Sequence, residues 1–385
     1  MLELLFLLLP IAAAYGWFMG RNSVRAEQRK EQEEFSKNYV TGINLLLSEQ
    51  SDKAVDLFID MLDIDSETIE THWTLGKLFR RRGEVDRAIR IHQNLISRPA
   101  LSSEERQHAM YELGQDYLSA GLYDRAEKMF TELQEHSVYR LESLQSLLVL
   151  YEATHEWDKA IRIGLKIARS NKDIEPVIAQ FYCELASLQE EQAACLKFYA
   201  KALKHDLQNV RARLALGQWH IDQQKYQQAQ HYLLPIIDHD KDFISEVLPL
   251  LRTCYEGLED SEGLAVLLHD IVLEKPCASA VVMLGDIIAR RNSVPAAEQF
   301  MLTALQKNPT MRAFHKLIQF HVASADDGRA RDSLMLLGNM VAEQLKQRAK
   351  YRCRHCGFAG HTLYWHCPSC KTWGSIKPTR GLDGE

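Results

Sequence analysis

The sequence has no excess of positive charge. Its 385 residues include 46 Lys and Arg against 52 Asp and Glu, a formal net charge of -6 at pH 7. Proteins that bind nucleic acid usually carry a basic excess, so no nucleic-acid partner is predicted. Hydrophobic residues at 46% and charged residues at 25% are instead typical of a folded globular protein.

Catalytic motifs are also missing. The chain has no glycine-rich phosphate loop, no His-Glu-x-x-His metalloprotease motif and no Gly-x-Ser-x-Gly nucleophile elbow. Its histidines, among them His72, His92, His108 and His220, fall at ordinary spacings in predicted helices and are interpreted as core or surface residues. The sequence therefore predicts a protein that is not an enzyme.

Paired cysteines are lacking over most of the chain. Four of the eight, Cys183, Cys195, Cys254 and Cys277, are scattered through predicted helices, and we interpret them as small buried apolar residues. The other four form two Cys-x-x-Cys pairs within the last 35 residues. Scattered thiols combined with thiolate pairs indicate a reducing compartment, so the bulk of the chain is predicted to be cytosolic.

The two cysteine pairs predict a single metal site. Its ligands are Cys353, Cys356, Cys367 and Cys370. Each pair is expected to form a tight turn with backbone N–H groups aimed at the sulfurs, and Gly357 allows the positive φ that such a turn needs. Four thiolates leave no open coordination position, so the ion is predicted to be structural or redox-active rather than hydrolytic. A disulfide pair in a secreted protein is the alternative.

An apolar run opens the chain. Residues 4–19 contain no charged side chain, and residues 1–19 as a helix would be roughly 28 Å long, enough to span a hydrocarbon core. The positive charges that follow are Arg21, Arg25, Arg29 and Lys30. Residues 1–20 are therefore predicted to be a single-pass anchor with the N-terminus outside the cytoplasm, followed by a cytoplasmic linker over residues 21–34.

A cleaved signal peptide is the alternative for this run. Ala12, Ala13 and Ala14 offer small residues near a possible cut, which would make the protein a periplasmic repeat scaffold. A signal peptide needs positive charge before the apolar run, and the charged side chain there is Glu3. The sequence therefore favours the anchor.

Small residues twelve positions apart recur between residues 35 and 310. The pairs are Gly42–Ala54, Gly76–Ala88, Gly114–Ala126, Gly217–Ala229 and Gly285–Ala297. In a two-helix repeat of 34 residues, these are the sites where helix A and helix B cross most closely. Gly83 and Gly121 fall at predicted turns between helices, and Pro309 ends the last clear unit.

These residues resemble the tetratricopeptide repeat family. The resemblance implies an all-α superhelix of about eight repeats over residues 35–310. An extra helical pair over residues 311–350 is expected to cap the array, and the cysteine pairs place a metal module over residues 351–385. Such arrays present a long groove that binds peptides or protein helices. Trp73, Lys77, Arg80 and Arg81 share one face of a predicted helix A and are a candidate docking stripe for an acidic partner; an ordinary solvated face is the alternative.

The last segment resembles the rubredoxin metal-binding fold at residues 353–358 and at Cys367-Pro368. It departs from that fold in the short ten-residue gap between the cysteine pairs and in Lys371, where a rubredoxin favours glycine. The resemblance points to iron, whereas ligand chemistry alone equally permits zinc. A membrane-tethered electron-transfer protein is therefore an alternative function.

Over its whole length the chain resembles the lipopolysaccharide assembly protein B family of Gram-negative bacteria. The order of anchor, repeats and the terminal segment from Trp365 to Pro378 carries the resemblance. It implies an inner-membrane adaptor that presents the lipid A deacetylase to a membrane-bound AAA+ metalloprotease and gathers other lipopolysaccharide-synthesis or -transport proteins. A homodimer is a further expectation.

Overall fold

The structure is a computed structural model that describes residues 15–23, 37–45, 53–54, 56–57, 69–99, 101–135, 138–382 and 384–385. The chain divides into two compact units, Met1–His155 and Glu156–Glu385. The described residues of both units form consecutive helices that pack against one another, and the second unit also contains a small sheet close to its C-terminal end. The predicted all-α repeat array with a small terminal module is confirmed.

Consecutive helices pack against one another in the first unit. Its helices after residue 68 are α1 (Ile69–Arg81), α2 (Val85–Ile96), α3 (Ser103–Ser119), α4 (Tyr123–Leu133) and α5 (Arg140–Ala153). Helices α1 and α2, α2 and α3, α3 and α4, and α4 and α5 are in contact. Gly83 and Gly121, with φ of +81° and +72°, turn the chain between the helices of two pairs, as the sequence predicts.

The predicted anchor, residues 1–20, lies largely outside the described residues. Residues 15–23 are helical, and Tyr15 and Trp17 in this helix are both 64% exposed. In the part of the chain that the structure describes, no helix has both the length and the apolar character needed to cross a membrane. The membrane topology therefore stays a prediction.

The second unit is also built from consecutive helices. Its helices are α6 (Trp157–Ile167), α7 (Glu175–Ser187), α8 (Gln192–His205), α9 (Val210–Asp222), α10 (Tyr226–His239), α11 (Ile244–Gly257), α12 (Ser261–Glu274), α13 (Ala278–Arg291), α14 (Val294–Lys307), α15 (Met311–Ser324) and α16 (Arg329–Gln347). Short polar side chains start several of them: Asn209, Asp260, Ser293 and Thr310 each accept a hydrogen bond from a backbone N–H of the first turn. Helices α15 and α16 occupy the region predicted to cap the array.

The small-residue pairs mark close helix contacts, as predicted. Ala88, Ala126, Ala229 and Ala297 are all fully buried. The residue four positions after each alanine lies against the paired glycine. A Cβ added to Gly76 would lie 2.4 Å from His92 Cε1, and one added to Gly217 would lie 2.5 Å from Leu233 Cδ2. Glycine is therefore required because the partner helix fills the space of its missing side chain.

The interpretation of the scattered cysteines is correct for three of the four. Cys183, Cys254 and Cys277 are buried. Cys195 is partly exposed, on α8, whose fully buried residue is Ala202. Burial raises the pKa of Cys183 to about 12 and that of Cys254 to about 11, so both thiols are neutral core residues at physiological pH.

The terminal module is a small antiparallel sheet. Strands β1 (Tyr351–Cys353), β2 (Ala359–Gly360) and β3 (Ile376–Pro378) are arranged in the order β2-β1-β3. The register pairs Cys353 with Ile376 and Tyr351 with Pro378. Tyr351, Cys353, Cys367 and Ile376 form the buried centre of the module, so its core includes two of the four predicted metal ligands.

Candidate metal centre

The first cysteine turn follows directly from β1. The Gly357 N–H donates to the Cys353 carbonyl at 3.1 Å, and the Cys353 N–H donates to the Phe358 carbonyl at 2.7 Å. Gly357 has a φ of +81°, as the sequence predicts. This tight turn places the Cys356 backbone N–H 3.5 Å from the Cys353 sulfur. The backbone thereby stabilises a thiolate at Cys353.

The second turn repeats this geometry with a different residue. The Lys371 N–H donates to the Cys367 carbonyl at 2.9 Å, and the Cys367 N–H donates to the Thr372 carbonyl at 3.1 Å. Lys371 takes the position of Gly357 and has a φ of +56°. The departure from the rubredoxin pattern therefore leaves the backbone turn intact, although a non-glycine residue occupies the left-handed region.

The four cysteine sulfurs converge on one point. The Sγ atoms of Cys353 and Cys370 are 3.7 Å apart, as are those of Cys356 and Cys367, and all four lie within 4.8 Å of one another. A tetrahedral ion with metal–sulfur bonds of about 2.3 Å requires sulfur–sulfur distances of about 3.8 Å. The donor set and its spacing therefore fit one tetrahedral ion, and all four cysteines are free thiols rather than disulfides.

The local hydrogen bonds favour ionised sulfur at two of the ligands. Burial opposes ionisation of Cys353, but the Ser375 hydroxyl and backbone N–H groups outweigh it and lower its pKa to about 7. The Thr372 hydroxyl, 3.4 Å from Cys370 Sγ, lowers the pKa of Cys370 to about 5. Burial raises the pKa of Cys367 to about 11. The site is therefore partly ionised before an ion binds, and binding displaces the remaining protons.

Nearby histidines are not needed as ligands. His366 donates from Nε2 to the Lys371 carbonyl at 2.8 Å and stacks on Trp373 with a centroid distance of 4.3 Å. His355 and His361 are exposed. Within the described ranges, the four cysteines are the one cluster of His, Cys, Asp or Glu side chains that could hold an ion.

Ion pairs join the module to the helices of the second unit. Lys377 Nζ lies 2.5 Å from Asp240 Oδ2, and Arg380 Nε lies 3.1 Å from Asp242 Oδ1. Arg354 also approaches Asp242, at 3.4 Å. The carboxylates follow α10 and enter the 3-10 turn before α11, so the cations of the module face the acidic connection between two repeat helices.

Two tryptophans of the module complete this contact. Trp365 stacks on Phe243 with ring centroids 5.5 Å apart. Trp373 meets Trp157 and Phe181 edge to face, at 6.1 and 5.8 Å. Sequence reasoning did not assign these residues a role. The sequence does contain a signal for this contact. Two tryptophans lie eight residues apart around a metal turn, in a segment too small to bury both, which indicates that they pack against another part of the chain.

The predicted docking stripe lies in the first unit. Lys77 Nζ is 3.0 Å from Glu112 of α3. Arg80 is bound by two carboxylates of the same helix, 2.7 Å from Glu112 and 2.6 Å from Asp116. These contacts tie α1 to α3 and balance much of the stripe's charge.

The other two stripe residues have different environments. Trp73 stacks on His108 at 4.1 Å, whereas Arg81 is exposed. Of the four side chains, Arg81 and the outer part of Lys77, which is 40% exposed, are therefore the cations accessible to a partner.

Buried charge supports the same helix contact. Asp116 and His92 are fully buried, and Asp116 Oδ2 lies 2.5 Å from His92 Nδ1. Burial alone would raise the pKa of Glu112, but hydrogen bonds from Arg80 and Lys77 outweigh it and hold the pKa below its ordinary value. Glu112 is therefore ionised at neutral pH, and the contacts of this network link α1, α2 and α3.

Two family models match the two parts of the fold. A family model described as a rubredoxin metal binding domain matches residues 351–378, and a tetratricopeptide repeat model matches residues 75–106. A tetratricopeptide repeat protein from Parabacteroides merdae has a TM-score of 0.33 and 15% identity, covering 66% of this chain and 99% of that one.

Two curated proteins are similar over nearly the full length. Lipopolysaccharide assembly protein B of Escherichia coli K12 is 47% identical over 100% of both chains. The protein of the same name from Haemophilus influenzae is 41% identical over 98% of both chains. With this identity, a repeat array and a four-cysteine module in the expected order, the chain belongs to the lipopolysaccharide assembly protein B family.

Proposed function

We propose that this chain is a non-enzymatic adaptor that regulates lipopolysaccharide synthesis at the bacterial inner membrane. The observation that carries the proposal is full-length similarity to proteins named lipopolysaccharide assembly protein B. The helix-pair array supports it, because stacked repeats present an extended surface suited to holding other proteins.

The partners in this proposal are a lipid A deacetylase and a membrane-bound AAA+ metalloprotease. The adaptor holds the deacetylase close to the protease and so promotes its degradation; it also gathers other lipopolysaccharide-synthesis or -transport proteins. Anchoring through residues 1–20, with the N-terminus periplasmic and the bulk cytoplasmic, would confine adaptor and protease to one plane. Confinement raises their effective concentration without any new contact.

The metal ion has a structural role in this proposal. Cys353 and Cys367 are almost fully buried, and four thiolates leave no position for a substrate. Cys353, Cys356, Cys367 and Cys370 would hold zinc or iron and so keep the module docked on the second unit. Trp73, Lys77, Arg80 and Arg81 are proposed as a protein-binding stripe, with Arg81 as its most accessible cation.

The deacetylase half-life in cells tests the proposal. Depletion of this chain should lengthen the half-life, and the wild-type chain should restore it, whereas a chain carrying Cys353→Ser and Cys356→Ser should not. Cys195→Ser is the control, because that thiol lies outside the metal site. An unchanged half-life on depletion would overturn the proposed function.

A version starting near Val24 tests the anchor separately. The shortened chain should no longer capture the protease when it is crosslinked on membranes. The purified shortened protein should keep its fold. Equal capture by the full chain and the shortened chain would show that anchoring contributes nothing to the assembly.

Electron transfer is the second candidate. Cys356 is exposed, so one ligand of the site is accessible to a redox partner. An iron-loaded site with a reversible redox wave would favour this function, and a zinc-filled site in protein purified from its native host would exclude it.

A further inference from the structure

Two side-chain hydroxyls lie against sulfurs of the metal site. Ser375 Oγ is 3.3 Å from Cys353 Sγ, and Thr372 Oγ1 is 3.4 Å from Cys370 Sγ. In the part of the chain that the structure describes, the other two sulfurs of the site have no hydroxyl neighbour of this kind. One sulfur of each cysteine turn is therefore paired with a hydroxyl, and the other is not.

Both hydroxyls belong to a short segment that the backbone ties to the two turns. The Arg354 N–H of the first turn donates to the Ser375 carbonyl at 2.8 Å, and the Cys367 N–H of the second turn donates to the Thr372 carbonyl at 3.1 Å. Ser375 and Thr372 are half-buried, so water screens their hydroxyls only in part. The fold of the module therefore fixes the backbone that carries both oxygens.

The charge of the sulfurs decides where the Ser375 hydroxyl donates. Ser375 has one hydroxyl proton and two acceptors, the Cys353 sulfur and the Thr372 carbonyl, which is 3.0 Å away. A protonated sulfur can itself donate to the hydroxyl oxygen. A metal-bound thiolate has no proton, so it can only accept, and its negative charge strengthens the bond from the hydroxyl. In the loaded site, the Ser375 proton therefore belongs on the sulfur.

The loaded site needs such donors because it carries excess negative charge. Four thiolates exceed the charge of a divalent ion by two and that of a trivalent ion by one. Hydrogen bonds to the sulfurs spread this charge, and the more negative state gains more from them. Donors at two sulfurs therefore favour a divalent ion over a trivalent one.

We propose that the hydroxyls of Ser375 and Thr372 retain the ion, each by donating to one thiolate. Ser375 acts on Cys353 of the first turn, and Thr372 acts on Cys370 of the second, so both turns are held in the ligating form. The two hydroxyls thereby slow the loss of a divalent ion and raise the reduction potential of an iron-loaded site. Neither residue is a ligand; each is a positioning residue that acts through a cysteine.

The inference goes beyond the proposed function, because it concerns how the module keeps its ion, whichever proteins the chain binds. It is measured on the purified full chain without deacetylase or protease. Failure of the inference and failure of the proposed function are therefore distinguishable.

Zinc release from the purified full chain tests ion retention. Ser375→Ala and Thr372→Val each remove one hydroxyl with little change in shape. Each variant should release zinc to a pyridylazoresorcinol chelator at least several-fold faster, since loss of an outer-shell partner typically weakens metal binding about 10–100-fold. Ser375→Thr and Thr372→Ser keep the hydroxyl and should restore slow release. Ser369→Ala is the matched control, because in the described structure this exposed residue of the second turn contacts no sulfur through its hydroxyl.

The reduction potential of the iron-loaded full chain separates a hydrogen bond to sulfur from a purely structural role. Loss of either donor should shift the potential to a more negative value, because the ferrous site carries more negative charge than the ferric site. Ser369→Ala and the two variants that keep a hydroxyl should leave the potential unchanged. A Ser375 hydroxyl that only braced the turn, through the Thr372 carbonyl, would affect the release rate without affecting the potential.

Metal content and near-UV circular dichroism confirm that each variant is folded, and Thr372→Val decides alone if Ser375→Ala does not fold. Faster release, a more negative potential and rescue by the variants that keep a hydroxyl would together support the inference. Release at the wild-type rate, faster release with an unchanged potential, absence of rescue, or an equal effect of Ser369→Ala would each overturn it.

Discussion

At the residue scale, the two metal turns differ in one position. Gly357 and Lys371 both adopt positive φ, but only lysine carries a Cβ that crowds the backbone there. A left-handed conformation costs a non-glycine residue about 1–2 kcal/mol. Replacing that residue by glycine recovers only part of this energy, because glycine has more conformational freedom in the unfolded chain and loses it on folding. The second turn is therefore the more strained of the two.

We expect Lys371→Gly to stabilise the module by up to about 1 kcal/mol and Gly357→Ala to destabilise it by about 1–2 kcal/mol. Chelator-induced unfolding, followed by tryptophan fluorescence, measures both effects. Lys371→Ala is the matched control, because it removes the long side chain but keeps the Cβ. Stabilisation by alanine equal to that by glycine would show that the lysine side chain, not the backbone, is the source of strain.

The helix-crossing glycines give a second prediction at this scale. Gly76→Ala should lower the free energy of unfolding by about 1–3 kcal/mol, because the new Cβ would lie 2.4 Å from His92, a buried ring held by Asp116. Gly285→Ala should cost less, since its nearest neighbour is the flexible Met301 side chain at 3.0 Å. Denaturant unfolding of both variants measures the difference; equal losses would contradict this account.

Local spacing was sufficient to predict these residues. A Cys-x-x-Cys pair supplies both of its thiolates within one turn, so its metal-binding role can be predicted from that turn alone. A glycine twelve positions before an alanine likewise indicates a close helix crossing without reference to the rest of the chain. Asp240 and Asp242 could not be predicted in the same way. They pair with Lys377 and Arg354, more than 110 positions away, and no local pattern carries information about such a contact.

At the scale of elements, α1 and α3 are joined by charge rather than by apolar packing alone. Arg80 and Lys77 of α1 bind Glu112 of α3, which is only 5% exposed at its side chain. The periodicity of α1 placed these cations correctly on one face, and sequence reasoning left that face as either a docking stripe for a partner or a solvated surface. Much of its charge is balanced within the protein because the neighbouring helix A presents carboxylates at matching positions.

The depressed pKa of Glu112 predicts a pH dependence for this contact. Its folded pKa lies below its unfolded value of about 4.3, so the contribution to stability is fully present above that value and is lost as pH falls through the folded pKa. Thermal unfolding should therefore occur at lower temperature below pH 4. Glu112→Gln should be less stable at pH 7 and lose part of this acid dependence; an identical acid profile in the variant would argue against the role of Glu112.

At the scale of the whole molecule, the candidate metal site of the second unit lies entirely outside its helices. The four cysteines shape the module, and the module places two tryptophans and three cations against the helices. Ligand identity was predictable because it is encoded within 18 residues. Docking was not, because it depends on where a distant helix connection lies after the array has folded.

Metal removal should therefore affect the second unit beyond the module. In Cys353→Ser with Cys356→Ser, we expect loss of one bound ion per chain, faster hydrogen exchange over residues 351–378 and over α7, and nearly unchanged helical circular dichroism. The helices persist because their own apolar core lies between helix pairs. Elemental analysis and hydrogen-exchange mass spectrometry test this, with Cys195→Ser as control. Unchanged exchange in α7 would show that docking does not need the ion.

The ion pairs predict how salt acts on the docked state. Asp242 binds both Arg354 and Arg380, so Asp242→Asn removes two attractions that water and salt already weaken. We expect exchange over residues 351–378 to become several-fold faster in the variant at low salt, with a smaller difference at 1 M salt, where the screening length is about 3 Å. The exposed Asp270→Asn should show no such effect. If Asp242→Asn had the same effect at both salt concentrations, Asp242 would act through local structure, and the stacked tryptophans rather than charge would hold the module in place.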